Sequence, residues 1–391
     1  MAVSAYKVFV TPLHTNATYG AAVEITDYVI SSNFSKIKKS IDAGNYDIGV
    51  YTYADLSMTV VNYEGLFNND TDSESMFYFT RDRAKVQIKY IDEATGTNVV
   101  YDGLINDEAT LQDLEKDTVK FRILSLDSIF RKVKVLGGLI NDNDTVSAAL
   151  KSLLNRPAIT AVIPYNAAKV TVGYDAIIND ATPFSQKDSR NVLELLLNAS
   201  GSVFYIDSVG EMTVKDRSVL TKTAVSLFGP GDEFQRDNII KVKNYNDGLQ
   251  RTFNTITVNE TTSTDETFVD RYGVNIKSHS FDFITATTTY TGIADYYLGQ
   301  FKQPKVEMVV YVKTDLAKTI NILDPIIVDY KKLHKMYDNN RIPFAGTAIA
   351  GTDVAPYIIG GLEITPNITW KVIGVEHNTK AFITALRLRQ S

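Results

Sequence analysis

Residues Ile25 to Phe67 read ITDYVISSNFSKIKKSIDAGNYDIGVYTYADLSMTVVNYEGLF. Leu56, Met58 and Val60 fall on one side of an extended chain and Ser57 and Thr59 on the other, the period of two that marks a half-buried strand. Asp42-Ala-Gly-Asn45 has turn chemistry: glycine reaches positive φ at little cost, and Asp and Asn bond their own backbone, so the chain is predicted to reverse there. Asn62 to Gly65 begin to close the strand. Upstream, Phe34, Ile37 and Ile41 suit one face of a helix as well as a strand, and periodicity alone leaves both readings open. The three lysines there, Lys36, Lys38 and Lys39, form the one notable basic strip, read as a solvated or edge-protecting strand face.

Working outward, Tyr6–Val10, Val23–Ile30, Met76–Thr80, Lys85–Ile91, Val99–Ile105 and Val119–Leu126 read as strands. Val86, Ile88 and Tyr90 alternate with Lys85, Gln87 and Lys89, and Val119, Phe121 and Ile123 with Lys120 and Arg122. Seven or eight short strands between turns, up to about Val135, predict a closed or nearly closed barrel. The ITDYV entry, the basic segment, the turn and the strand ending Val61-Asn62 resemble the N-terminal β-barrel of tail hub and baseplate hub proteins of bacteriophages.

Composition sets the limits of the rest. With 391 residues, two to four domains are expected. A net charge of −6 argues against a nucleic-acid surface as the main purpose, since that needs clustered Lys and Arg. Cysteine is absent, which removes disulfides, thiolate metal sites and a Cys nucleophile. No stretch reaches the ~18 to 20 apolar residues of a membrane span, and the N-terminus lacks a signal-peptide pattern, so no membrane insertion and assembly in the cytoplasm are expected. The 22 tyrosines, with many Thr, Val and Ile, favour sheet and suit large protein interfaces.

The character changes at Gly137-Gly138. Asn141-Asp-Asn-Asp-Thr145 lacks the central Gly and terminal Glu of a calcium loop and reads as the N-cap of a helix over Val146–Asn155, stopped at Arg156-Pro157. After a strand at Lys169–Val172 comes a second helix, about Asn191–Ser200, with Asn191 and Glu194 spaced as a capping box and Gly201 at its end. Then SVFYIDSVGEMTVKDR, residues 202–217, sets Val203 and Tyr205 against Met212 and Val214 across a turn at Ser208-Val-Gly210. This helix and hairpin resemble the small α/β domain that tail hub proteins insert after their first barrel.

Gly229-Pro-Gly231 marks the next boundary. Ile239–Tyr245 and Thr252–Val258 are predicted to form a hairpin about Asn246-Asp-Gly248, Phe268–Phe283 a further strand pair, and Thr291–Lys302 a helix. Strands follow at Val306–Val312, Ile326–Tyr330, Trp370–Glu376 and Phe382–Leu388; WKVIGVEHNTKAFITALRLR, residues 370–389, resembles the closing hairpin of the same hub family. Residues 331–369, rich in Gly and Pro, are expected to be a long irregular loop reaching a neighbour.

The expected fold is therefore mainly β with an α+β insertion: a barrel over 1–136, a small α/β domain over 137–227, and a second barrel over 228–391. Motif searches give no G-x-S-x-G, H-E-x-x-H, P-loop or strand-borne G-x-G-x-x-G. His14, His279, His334 and His377 lie in unrelated segments, and His377, beside Glu376 on opposite faces of the chain, reads as a surface turn. No catalytic, cofactor-binding or metal residues are assigned, no cofactor is expected, and the sequence does not single out interface residues. The resemblance implies a homotrimeric hub at a tail tip, two barrels per subunit making six similar units around a channel. Its implied partners are a distal tail or tail tube protein, a central spike or fibre, a tape measure protein, and DNA in transit, all in the virion. A hexameric distal tail or tube adaptor, or a carbohydrate-binding or carbohydrate-cleaving tail module, are the alternatives.

Overall fold

In the computed structural model the described residues are 4–14, 18–34, 36–41, 49–50, 52–53, 55–68, 73–77, 82–92, 96–220, 222–229, 238–246, 252–336 and 357–391. Along the first third run β1 (Ser4–Thr11), β2 (Val23–Glu24), β3 (Val29–Ser32), β4 (Ile37–Ser40), β5 (Gly49–Val50), β6 (Thr52–Tyr53), β7 (Leu56–Val61), β8 (Lys85–Asp92), β9 (Gly96–Asp113) and β10 (Thr118–Ser125). Seven of them form an antiparallel sheet in the order β2-β1-β8-β9-β10-β7-β3. The alternation read in β7, β8 and β10 is the burial pattern observed, with Leu56, Met58, Val60, Val86, Ile88, Tyr90, Val119, Phe121 and Ile123 all buried.

The other three strands leave this sheet. β4 and β6 join a second large sheet, and β5 joins a small third one. The choice left open for Phe34–Ile41 is thereby decided: Ile37–Ser40 is a strand. The turn expected at Asp42–Asn45 lies outside the described residues, as do Pro230-Gly231 of the expected boundary; of the expected strand Met76–Thr80, Met76 and Phe77 sit in a turn and the rest is outside.

The middle of the chain holds α1 (Ile129–Lys132), α2 (Val146–Leu154), α3 (Pro157–Thr160), β11 (Tyr165–Val170), α4 (Ser189–Ser200), β12 (Ser202–Ile206) and β13 (Met212–Asp216). Thr145 caps α2 by accepting from the Ala148 N–H, as its sequence predicts. α4 starts two residues before its predicted first residue. Asp188, not Asn191, is its cap, accepting from the Asn191 N–H at 2.9 Å, and Glu194 pairs with Arg190 instead of closing a capping box. Gly201 ends the helix at φ +62°, a conformation that favours glycine. The small sheet runs β11-β13-β12-β5.

The last third contains β14 (Val225–Phe228), β15 (Ile239–Asn246), β16 (Thr255–Val258), β17 (Thr261–Thr264), α5 (Glu266–Tyr272), β18 (Ile276–His279), α6 (Thr287–Phe301), β19 (Glu307–Lys313), α7 (Thr314–Ala317), β20 (Pro325–Met336), β21 (Tyr357–Ile364), β22 (Thr369–Asn378) and β23 (Ile383–Gln390). The second large sheet runs β14-β20-β22-β23-β19-β15, with β21 added on β20 and β4 on β22. β22 and β23 form the predicted closing hairpin.

Three expectations fail here. β15 pairs with β19, not with β16, so no hairpin spans Asn246-Asp-Gly248; β16 lies in a separate sheet, β17-β16-β18. Packing decides this over turn chemistry, because Ile256 and Val258 are buried beneath α6 in another core. Within Phe268–Phe283 the first part is helix: Asp265 accepts from the Phe268 N–H, Gly273 follows the last residue, and the Phe268 and Tyr272 rings stack at i and i+4. Finally, 331–369 is not all irregular, since β20 runs to Met336 and pairs with β21 through Gly360 and Gly361.

Two hydrophobic clusters result. One runs through both large sheets, from Val10 and Val86 to Val310, Trp370 and Leu388. The other joins α2 and α4, the helix-side residues of the small sheet, and Phe253, Ile256, Phe283, Ile293 and Tyr297 of the 252–301 segment. The protein is thus mainly β, with two curled, largely antiparallel sheets forming two barrel-like units and few helices.

Candidate functional site

The most distinctive geometry is the junction between the two large sheets, and the strand that makes it is the basic one. β4 pairs antiparallel with β22, Ile37 opposite His377, Lys38 opposite Glu376, Lys39 opposite Val375 and Ser40 opposite Gly374, and with β6 on its other side. The expected edge strand is therefore an interior one. Ile37 and Lys39 point inward and Lys38 outward, so only part of the basic strip is solvated. Lys38 facing Glu376 is a favourable cross-strand charge pair. Burial pulls the Lys39 ammonium down to about 8, with Asp102 and Asp207 acting in the opposite sense.

His377 is not in a surface turn. It is buried within β22, its Nδ1 2.8 Å from Thr384 Oγ1, and burial together with nearby Lys39 holds the imidazole down at about 3, hence neutral. Glu376 lies on the opposite face and is only partly buried. Just beyond, the Thr379 hydroxyl donates to the Phe34 carbonyl at 3.0 Å, a second tie between the first third of the chain and the last.

A separate contact lies where α7 meets β1 and β8. The Lys318 ammonium and Asp92 carboxylate are 2.8 Å apart, both buried. The Tyr6 hydroxyl donates to Thr314 Oγ1 at 3.3 Å, the Tyr90 hydroxyl donates to Asp315, and the Tyr6 ring lies 5.1 Å from Tyr90 and 5.4 Å from Phe382. No sequence signal pointed to these residues, which meet across more than two hundred positions. Their alternating neighbours in β1 and β8 carried the strands but not the partner.

The small sheet is tied in at two further places. β5 runs parallel to β12, and Lys222 reaches Asp324 at 2.9 Å. On its helix side, Tyr296 of α6 donates to Asp216 at 2.6 Å and packs over Gly201.

Of the described residues weighed for chemistry, the structure brings Lys39 close to His377 and sets Lys38 opposite Glu376. His14 lies between β1 and β2, His279 ends β18 stacked on Tyr297 at 4.5 Å, and His334 is in β20. Burial holds His279 down at about 4. The Asn141–Thr145 loop is occupied with backbone bonds: Asp144 accepts from the Asn141 N–H and Asp142 from the Ala181 N–H, both at 2.8 Å. Among the described residues no group of three or more His, Asp or Glu is placed to hold a metal, and no helix is long and apolar enough to cross a membrane.

A mainly β chain of two large sheets fused through a shared core and a bridging strand, with a small α/β unit packed beside them, is the architecture these contacts define. The same fold is found in a tail protein from Neisseria meningitidis MC58, at 13% identity and TM-score 0.54, covering 99% of this chain and 96% of that one. It is found again in the 43 kDa tail protein of prophage MuSo2 from Shewanella oneidensis, at 12% identity and TM-score 0.50, covering 98% and 97%. No protein-family model and no curated protein sequence matches the chain.

Proposed function

We propose that this chain is a structural component of a bacteriophage or phage-like tail, acting as the hub at the tail tip. The observation that carries the reading is the fusion of two barrel-like sheets in one polypeptide by β4 and one continuous core, in a fold shared end to end with two tail proteins. Three copies would present six such units around a channel. The ring then joins a six-fold tube or distal tail protein on one face to a central spike or fibre on the other, with tape measure protein and DNA passing through. Its work is scaffolding, not catalysis, and its place is the virion. The β20–β21 extension is suited to reach a neighbouring subunit.

Native mass spectrometry of the full chain, with particle averaging, tests this. A trimer with a central opening is expected. A hexamer would reassign the chain to a distal tail or tube adaptor, and a stable monomer that binds glycans would refute both.

A further inference from the structure

The small sheet has two unlike faces. On β13, Met212 and Val214 point to α2 and α4, and Phe204 and Ile206 of β12 join them in the helical core. The period of two then puts Thr213 and Lys215 on the other face, beside Tyr205 and Val203 of β12, their partners in register. Val203 and Tyr205 pack into the core of the large sheets, while Thr213 and Lys215 line an open cleft with Lys169, Lys222 and Asn321. Asn321 comes from the loop before β20, so the cleft lies between the small sheet and the second large one. Its volume is about 310 Å³.

The polar groups in this cleft are unequally satisfied. Lys169 is held by Asp207 at 2.6 Å and Glu211 at 2.5 Å, and Lys222 by Asp324 at 2.9 Å. Lys215 is only 5% exposed, and among the described residues it forms no hydrogen bond or ion pair; the Thr213 hydroxyl, 9% exposed, is buried without a partner. The buried, unsatisfied Thr213 hydroxyl carries a desolvation cost, and two residues along the same strand face Lys215 is a largely buried side chain whose charge burial disfavours. An anion offering two acceptor oxygens would accept from the Thr213 hydroxyl and the Lys215 ammonium together, with the Lys222 ammonium nearby; the Asn321 amide is already engaged, donating to Ser208 Oγ at 3.3 Å.

We infer that the cleft between β13 and the loop before β20 binds an oxyanion, a carboxylate or phosphate group, seated on Lys215 and Thr213. Occupied, it adds to the tie that Asn321 already makes between the small sheet and the loop before β20 by donating to Ser208. The group is supplied either by a free inorganic anion or by an acidic side chain of another polypeptide.

The test is thermal denaturation and calorimetric titration of the full chain with sodium phosphate, sodium acetate and a short glutamate-rich peptide, each against sodium chloride at equal ionic strength. A saturable rise in melting temperature is expected. Saturation with phosphate alone assigns a free inorganic anion, and saturation with acetate and the peptide assigns a carboxylate. Lys215→Met should abolish the response, and the near-isosteric Thr213→Val, which keeps the fold if Lys215→Met does not, should weaken binding about tenfold. No saturable response to any of the three probes, or a response unchanged in Thr213→Val, would overturn the inference.

Discussion

At Gly201 the chain leaves α4 with φ +62°, and a Cβ there would sit 2.2 Å from Cε1 of Tyr296. Strain and collision add, so Gly201→Ala should destabilise the protein by at least about 2 kcal/mol in urea denaturation. Gly299, also on the α6 face of this region but exposed and with open space around it, should respond in the opposite sense. Gly299→Ala is expected to be neutral or to stabilise by about 0.5–1 kcal/mol, through helix propensity alone. Of the two, Gly201 was legible in sequence as a helix stop, but not as the floor beneath a tyrosine 95 positions away. The histidines bear on pH. His377 and His279 are held well below 6.5 in the fold, so the unfolded chain binds more protons than the native one between about pH 6.5 and 4. The contribution of these two histidines to stability is therefore complete above pH 6.5 and is lost as pH is lowered, and His377→Gln should flatten that part of the fall in a series of thermal melts.

At the scale of the element, β4 is the test case. Ile37 is buried opposite His377 on a strand of four residues that carries the pairing of the first third of the chain with the second large sheet. Ile37→Ala should cost about 2–5 kcal/mol. Hydrogen exchange should then show lost protection in β22 as well as in β4, because the ladder is shared. The Lys318–Asp92 pair makes a second, independent tie. Asp92→Ala takes away the carboxylate that faces the buried Lys318 ammonium and should cost about 3–5 kcal/mol, read by denaturation at neutral pH. Strand alternation was plain in β7, β8 and β10 because each packs one face on a core and shows the other to solvent. It was ambiguous in β4, where a buried lysine breaks the polarity pattern.

At the scale of the molecule, one hydrophobic cluster runs through both large sheets. Their unfolding should be a single cooperative transition, and residues 1–136 expressed alone should lack a dispersed amide NMR spectrum, since Phe34, Ile37 and Ile41 would lose the sheet that covers them.

The amino-acid sequence by itself determined what depends on neighbours along the chain. The alternation of β7, β8 and β10, the cap at Thr145, the turn at Ser208-Val-Gly210 between β12 and β13 and the closing hairpin β22–β23 all rest on periods of two or 3.6 and on local turn chemistry. Only the tertiary structure decided which strand lies beside which. A strand's two edges present the same backbone donors and acceptors whatever its side chains, so the choice of β22 for β4, or of β19 and not β16 for β15, is made by the core that the whole fold closes. The same holds for Lys39, Lys215 and the neutral His377, all buried. Each is an ordinary surface-type residue in the sequence and becomes unusual because of what is packed above it.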